Sequence, residues 1–249
     1  MRMNMPERAK VLGSYVDLLD MNGVMEKLGA MVEGHSTQQV VTLNAEIAYL
    51  AQRDHSLQAI INSADLVTPD GIGIVWAARL QGYKIRQRVT GIELTYRLSE
   101  EAAKQGWKVF LLGALPGIAD QAADCLQKSL PGLQIVGQDH GYHSSQEMPA
   151  VIEKINQLQP DILLVALGAP RQEFWIHEHK NNLKVKVCIG IGGSLDVLAG
   201  EKKRAPELFI RLNLEWLYRL LSEPARIKRQ VNLPLFVLQV LKNKYLPGK

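Results

Sequence analysis

The run Ile162-Leu163-Leu164-Val165-Ala166-Leu167 places six apolar residues in succession with no polar alternation. Pro160-Asp161 and Gly168-Ala169-Pro170 bound it, so it reads as a strand of ordinary length covered on both faces. Such strands occur in parallel sheets, whose right-handed crossovers lay helices over each side. The pattern recurs at residues 40–43, 66–68, 108–113 and 186–191, and residues 10–15 and 134–137 read as further strands. Helical spacing fills the intervals. It is seen over 22–32, with Val24, Met25, Leu28 and Met31 on one face, and over 45–52, 55–63, 72–80, 92–105, 118–130, 146–158 and 171–179. Residues 1–205 are therefore predicted to form an α/β domain, a Rossmann-like, mostly parallel sheet flanked by helices.

Residues 206–249 break that rhythm and read as a basic, amphipathic, helical C-terminal appendage. Leu208, Leu212, Trp216 and Leu220 form an i, i+4 stripe that Phe209, Ile210, Leu214, Leu217 and Leu221 nearly encircle. Arg211, Glu215 and Arg219 interrupt the ring at a spacing that lets them pair with one another. A helix apolar on most sides is predicted to be buried in a core, a partner or a membrane surface. Pro224 and Pro234 are expected to interrupt the helical pattern beyond Leu221. From Lys202 onward eleven basic residues face three acidic ones, so this end carries +8 and residues 1–201 carry −4 of the chain's +4. Cations interleaved with leucines and aromatics fit an anionic membrane surface better than nucleic acid. The same pattern suits a helix packed on the sheet, or one buried in a second copy of the chain as a homo-oligomer.

The composition, 47% apolar and 22% charged, is that of a globular protein, and no stretch approaches the roughly 18 apolar residues of a bilayer span. The first ten residues lack a signal-peptide core, and Cys125 and Cys188 fall in apolar patterns suited to reduced core thiols. A cytoplasmic protein is expected.

One carboxylate stands out. The segment Asp65-Leu66-Val67-Thr68-Pro69-Asp70-Gly71-Ile72-Gly73 runs from a short apolar strand through a turn into an apolar helix. Asp70 thus ends a strand at the edge where open α/β sheets bind ligands. Asp before Gly is also a common turn pair, so a turn former and a general base are both open readings. Glycines recur at other strand ends, in Gly113-Ala114-Leu115-Pro116-Gly117, Gly168-Ala169-Pro170 and Gly190-Ile191-Gly192-Gly193, where backbone N–H groups suit a phosphate ligand. None completes a dinucleotide fingerprint, Trp76 standing where the third glycine would be, and there is no P-loop, which disfavours nicotinamide chemistry. Metal chemistry is disfavoured too. His177-Glu178-His179 lacks the i, i+4 spacing of a zinc pair, His140 and His143 beside Asp139 read as a surface turn, and no Asp-x-Asp clamp occurs. A leaving diphosphate would then need arginines, for which Arg88, Arg219, Arg226 and Arg229 are the candidates, a solvated basic face being the plain alternative for the last three. Thr42 and Asn44, Thr68 and Asp70, Arg171 and Gln172, and Ser194 and Asp196 all fall at carboxyl strand ends. A helix N-cap explains any one of these pairs; together they share one edge.

These segments resemble the WecG/TagA/CpsF glycosyltransferase family. The likeness covers residue 10 to about residue 229. It rests on Thr42-Leu43-Asn44-Ala45, Thr68-Pro69-Asp70-Gly71, Val89-Thr90-Gly91, Phe110-Leu111-Leu112-Gly113 and Gly168-Ala169-Pro170-Arg171-Gln172-Glu173. It continues through Gly190-Ile191-Gly192-Gly193-Ser194-Leu195-Asp196, Arg204-Ala205-Pro206 and Leu214-Glu215-Trp216. The resemblance implies an inverting, metal-independent transferase without a cofactor. It would move N-acetylmannosamine from UDP-N-acetylmannosamine to the 4-hydroxyl of GlcNAc on the lipid undecaprenyl-diphospho-GlcNAc. It implies Asp70 as general base and Thr42 and Gln172 lining the sugar pocket, with Asn44 and Arg88 beside these motifs as substrate-binding and catalytic candidates, and Gly192, Gly193, Asp196 and Tyr142 at the nucleotide, with Gly113 a further substrate-binding candidate. The appendage would dock at the inner face of the plasma membrane and close the site, bringing Arg219, Arg226 and Arg229 to the diphosphate. A different UDP-sugar donor (N-acetylmannosamine uronic acid or glucose) and a non-enzymatic nucleotide-sugar module are the alternatives.

Overall fold

The computed structural model describes residues 8–223 and 231–246. It opens with a hairpin, β1 (Arg8–Val11) and β2 (Ser14–Asp17), with Arg8 opposite Asp17. The single strand predicted over 10–15 is therefore two. Leu12 (φ 49°) and Gly13 (φ 90°) make the turn. A leucine in the left-handed region is unfavourable by itself. Here its side chain is buried and its carbonyl accepts a 3.1 Å bond from Gln58 Nε2. Buried Asp17 ties the hairpin down, pairing with Arg8 (3.1 Å) and Lys27 (3.6 Å) and accepting from the Val67 N–H at 2.8 Å.

The main sheet comprises β3 (Gln38–Leu43), β4 (Leu66–Pro69), β5 (Lys108–Gly113), β6 (Gln134–Asp139), β7 (Ile162–Ala166) and β8 (Val187–Gly190). All six are parallel, in the order β4-β3-β8-β7-β5-β6. Successive residues of the inner strands and β4 serve opposite cores, which is why their apolar runs do not alternate, whereas edge strand β6 has no buried residue. Val40, Leu66, Leu111, Leu164 and Ile189 pack beneath α1 (Met21–Val32), α5 (Gly91–Gln105), α6 (Ile118–Ser129) and α9 (Ser194–Leu198). On the other face Val41 and Val67 meet α2 (Ala45–Ala51), α3 (His55–Ser63) and α4 (Ile72–Leu80), while Phe110, Leu163 and Cys188 meet α7 (Met148–Leu158) and α8 (Arg171–His179). Cys188 is a core thiol as expected, but Cys125 is exposed, because it falls off the buried Ala119, Ala122, Ala123 and Leu126 stripe of α6.

The appendage is not one continuous helix. α10 (Glu207–Arg211) ends, Asn213 takes a φ of 59°, and α11 (Glu215–Ser222) starts afresh. Asparagine tolerates that left-handed conformation better than most residues. Neither helix has a buried residue, and Leu208, Leu212, Trp216 and Leu221 are exposed, so the burial predicted from the apolar ring is not met among the described residues. Arg211 pairs with Glu207 (2.5 Å) instead of Glu215. Pro234 lies in the first turn of α12 (Asn232–Tyr245) and does not interrupt it, because a missing N–H there breaks no helical bond. Phe236 and Val240 of α12 are buried against α2 and α4, and each such side chain contributes about 1.5–3 kcal/mol. Among the described residues no helix is long and apolar enough to cross a membrane. Pro224 lies outside them.

Candidate active site

Because the strands share one direction, the residues following Leu43, Pro69, Gly113, Ala166 and Gly190 emerge at a single edge. Asp70 is fixed there through its backbone. Its N–H donates to the carbonyls of Leu43 (2.8 Å) and Thr68 (3.0 Å), and the neighbouring Pro69 carbonyl accepts from the Val89 N–H at 2.9 Å. Gly71 takes a φ of +93°, and a Cβ there would meet nothing within 4 Å, so conformation and not crowding demands the glycine. Asp70 keeps some solvent contact as a residue, yet protein surrounds its carboxyl. Burial pushes that carboxyl from an ordinary 3.8 up to about 6. Arg219, the Gly91 N–H and Arg88 pull against the rise, while Glu215 adds to it. A carboxyl in that range is ionised at neutral pH and well placed to take a hydroxyl proton.

Two of those influences, Arg219 and Glu215, lie on α11, far away in the chain. Arg88 Nη1 lies 2.5 Å from Glu215 Oε2, and Arg88 Nη2 donates to the Ile210 carbonyl at 3.4 Å. The paired side chains are only 13% and 14% exposed, so the contact fastens α10 and α11 to the loop that carries Val89 and Thr90. Gly91 begins α5, and the unpaired N–H groups and positive end of that helix favour a carboxylate beside them.

The residues predicted about the sugar are engaged within the fold. Thr42 Oγ1 donates to the Gly190 carbonyl (2.8 Å), stitching β3 to β8. Gln172, buried, accepts at Oε1 from the Gly192 N–H (3.0 Å) and donates through Nε2 to Glu173 Oε1 (2.9 Å). Asn44 caps α2, accepting from the Ile47 N–H at 3.0 Å. These three shape the edge with their principal polar atoms already partnered. Gly113 has a packing role: a Cβ there would lie 2.4 Å from the Ala166 carbonyl oxygen. Gly192 (φ +55°) has open space above its Cα, Gly193 precedes α9, and Asp196 stands 3.7 Å from Lys202 Nζ. Tyr142 is exposed in the loop after β6, where Gly141 donates to the Ala114 carbonyl and accepts from Arg171, so the loop turns back toward β5 and β7. Arg226 and Arg229 lie outside the described residues.

Three contributors had not been singled out from sequence: Gly91, Glu215 and Glu173. Gly91 stands inside the Val89-Thr90-Gly91 segment, and Glu215 is one of the charges that interrupt the apolar ring, so each left a signal. Glu173 is buried. Burial raises its carboxyl, and its Oε2 has no partner among the described residues. Asp139, His140 and His143 bring potential ligand atoms within 4.8 Å of one another. Their atoms are already satisfied, with His143 Nε2 at 2.7 Å and Lys154 Nζ at 2.9 Å from the two Asp139 oxygens, and His140 Nδ1 accepting from the Tyr142 N–H. An ammonium that close suits a hydrogen-bonded turn and opposes a bound cation. A cleft of about 330 Å³ is lined by Ile72, Arg88 and Glu93 among others, and a larger one of about 570 Å³ lies at the carboxyl ends of α4 and α12.

Residues 9–249 match the Glycosyl transferase WecG/TagA/CpsF family. A relative from Bacillus spizizenii, named N-acetylglucosaminyldiphosphoundecaprenol N-acetyl-beta-D-mannosaminyltransferase, is 37% identical over 96% of this chain and 89% of its own length. Proteins with the same name from Bacillus subtilis and Staphylococcus aureus are each 35% identical, over 97% and 95% of this chain and 90% and 93% of theirs. With nearly the whole chain matched in this way, the protein belongs to the WecG/TagA/CpsF glycosyl transferase family.

Proposed function

We propose that this chain transfers N-acetylmannosamine from UDP-N-acetylmannosamine to the 4-hydroxyl of N-acetylglucosamine on undecaprenyl diphosphate, inverting the anomeric carbon. The name shared by the relatives supports the donor sugar and the acceptor. The observation that carries the chemistry is Asp70, a carboxyl raised to about 6 at the ligand edge of a parallel sheet and faced by two arginines.

The acceptor O4 attacks the anomeric carbon as the bond to the UDP β-phosphate oxygen breaks on the opposite side. Asp70 takes the O4 proton, so the hydroxyl gains nucleophilicity as its bond forms. The departing UDP carries away the bonding pair. Arg219 stabilises that charge, joined in this proposal by Arg226, Arg229 and the N–H groups of Gly192 and Gly193, and no metal is needed. The exposed leucines and Trp216 of α10 and α11 dock on an anionic membrane surface at its cytoplasmic face. The acceptor resides there, so docking holds a site that already has Arg219 and the Arg88–Glu215 contact in place at the surface where the substrate is.

The test is a transfer assay with UDP-N-acetylmannosamine and a short-chain GlcNAc-diphospholipid, with and without a chelator. UDP release should require the acceptor and be indifferent to the chelator. Equal or better transfer from UDP-glucose or the uronic acid donor would overturn the donor assignment, and chelator inhibition reversed by a divalent cation would overturn the metal-free mechanism.

A further inference from the structure

We propose that the cleft between α4 and Arg88 holds the diphosphate of the lipid acceptor, with Arg79 and Arg86 as its ligands. This subsite rests on the transferase reading above and gives the second substrate a place.

The cleft, about 330 Å³, runs along α4 past Ile72, Val75 and Arg79. Arg86 and Arg88 stand opposite, and Asn213 forms part of the rim. Its lining includes Arg88, which acts on the Asp70 carboxyl, and Ile72, two residues along the chain from Asp70. From Ile72 to Arg79 the helix advances about 10 Å, comparable to a hexose and the phosphate it carries.

The charge in the cleft is unevenly compensated. Arg88 is matched by Glu215 at 2.5 Å, and Glu93, the acid of the cleft wall, is matched by Arg204 at 2.8 Å. Arg79 instead donates through Nε and Nη2 to the carbonyls of Ile85 (3.1 Å) and Arg86 (2.7 Å) and meets no carboxylate among the described residues. Arg86 lies 3.6 Å from Asp20, with its side chain 86% exposed. Two guanidinium groups, one held by carbonyls and one exposed with a carboxylate at 3.6 Å, suit an anion with two phosphates.

Reaction geometry separates this anion from the one in the donor. In-line displacement puts the leaving UDP on the far side of the anomeric carbon from the attacking oxygen, so the two diphosphates cannot share one set of arginines. Arg219, on α11, serves the donor, and Arg79 and Arg86 serve the acceptor. The polyprenyl chain then leaves the cleft beside Asn213, across exposed Leu212 and Leu208 of the membrane-docking segment.

The experiment compares wild type with Arg86→Ala and Arg86→Lys, because replacing Arg79 would also loosen the loop its guanidinium holds. Acceptor KM is measured with a short-chain GlcNAc-diphospholipid at saturating donor, and donor KM at saturating acceptor. Inorganic pyrophosphate binding is measured separately by calorimetry. Arg86→Ala should raise acceptor KM about 10–100-fold, the worth of a charge-assisted contact. It should leave donor KM within about twofold and weaken pyrophosphate binding, while Arg86→Lys recovers part of both losses. An unchanged acceptor KM, or a shift in donor KM instead, would overturn the assignment. If wild type transfers no sugar, the transferase reading fails by itself. Pyrophosphate affinity that is unaltered by Arg86→Ala sinks the cleft assignment in either case.

Discussion

Replacing Asp70 with asparagine separates what this carboxyl does for the reaction from what it costs the fold. Burial raises the group from 3.8 to about 6, so the folded protein holds the proton more tightly than the unfolded chain does. Its effect on stability is most favourable below about pH 4, declines as pH rises through about 6, and is constant above that. The whole change amounts to about 3 kcal/mol, an upper bound because Asp70 keeps some contact with water. Asparagine mimics the neutral carboxyl. At pH 8 the variant should therefore be more stable by up to about 3 kcal/mol, or about 6–12 °C in melting temperature for a chain of this size. At pH 4 the two proteins should match. Transfer by the same variant should fall roughly 10²–10⁴-fold with UDP affinity retained. Urea denaturation from pH 4 to 8 reads the first effect, and wild-type kcat climbing to a plateau above about pH 6 reads the second. Equal stability at pH 8 would refute burial as the dominant influence on Asp70, and near-normal turnover would refute its role as the base.

Arg219 and Glu215 act on the same carboxyl with opposite signs. Arg219→Ala should move the acid limb of the kcat profile to higher pH and Glu215→Gln should move it lower; shifts in one direction for both would contradict their placement beside Asp70. Phe236→Ala should destabilise the protein by about 3–5 kcal/mol and expose α12 to limited proteolysis, because the ring is buried between α2 and α4. A wild-type cleavage pattern would show that α12 is held by something else. Gly113→Ala, whose Cβ would meet the Ala166 carbonyl at 2.4 Å in a positive-φ backbone, should cost more than about 1 kcal/mol in a denaturation midpoint while leaving UDP affinity per folded molecule intact. Weakened UDP binding at full stability would make Gly113 a ligand contact instead.

The parallel sheet was legible because burial on both faces leaves a compositional mark, which β7 carries in five consecutive buried residues. Asp70 was legible as a position, since a strand followed by Pro-Asp-Gly puts a carboxylate at a known edge. Its protonation behaviour was not, because that depends on α11 arriving from some 145 residues away. The β1–β2 turn was hidden for a related reason. A leucine enters the left-handed region there only because Gln58, from a different helix, holds its carbonyl. Asn213 was the available sign that the apolar ring would break. Helical periodicity outweighed it, and that periodicity also made Glu215 look like a partner for its own helix when its partner is Arg88. Gln172 illustrates the last gap: sequence places it at the edge, but only the fold shows its amide pinned between Gly192 and Glu173.

The place of β8 in the sheet imposes an order on biosynthesis. Among the described residues it is the last strand made, yet it stands between β3 and β7 and is the only strand that joins β4-β3 to β7-β5-β6. About 120 residues separate the end of β4 from the end of β8. At roughly 5–20 residues per second the ribosome needs about 6–24 s to make them. Throughout that interval the ribbon bearing Thr42 and Asp70 keeps an open edge of unpaired N–H and C=O groups, the kind of surface to which nascent chains adhere or chaperones bind. A chain cut short just before Val187 would contain Asp70, Arg88 and Gln172 and have no active site, because it lacks the strand that brings its two halves together.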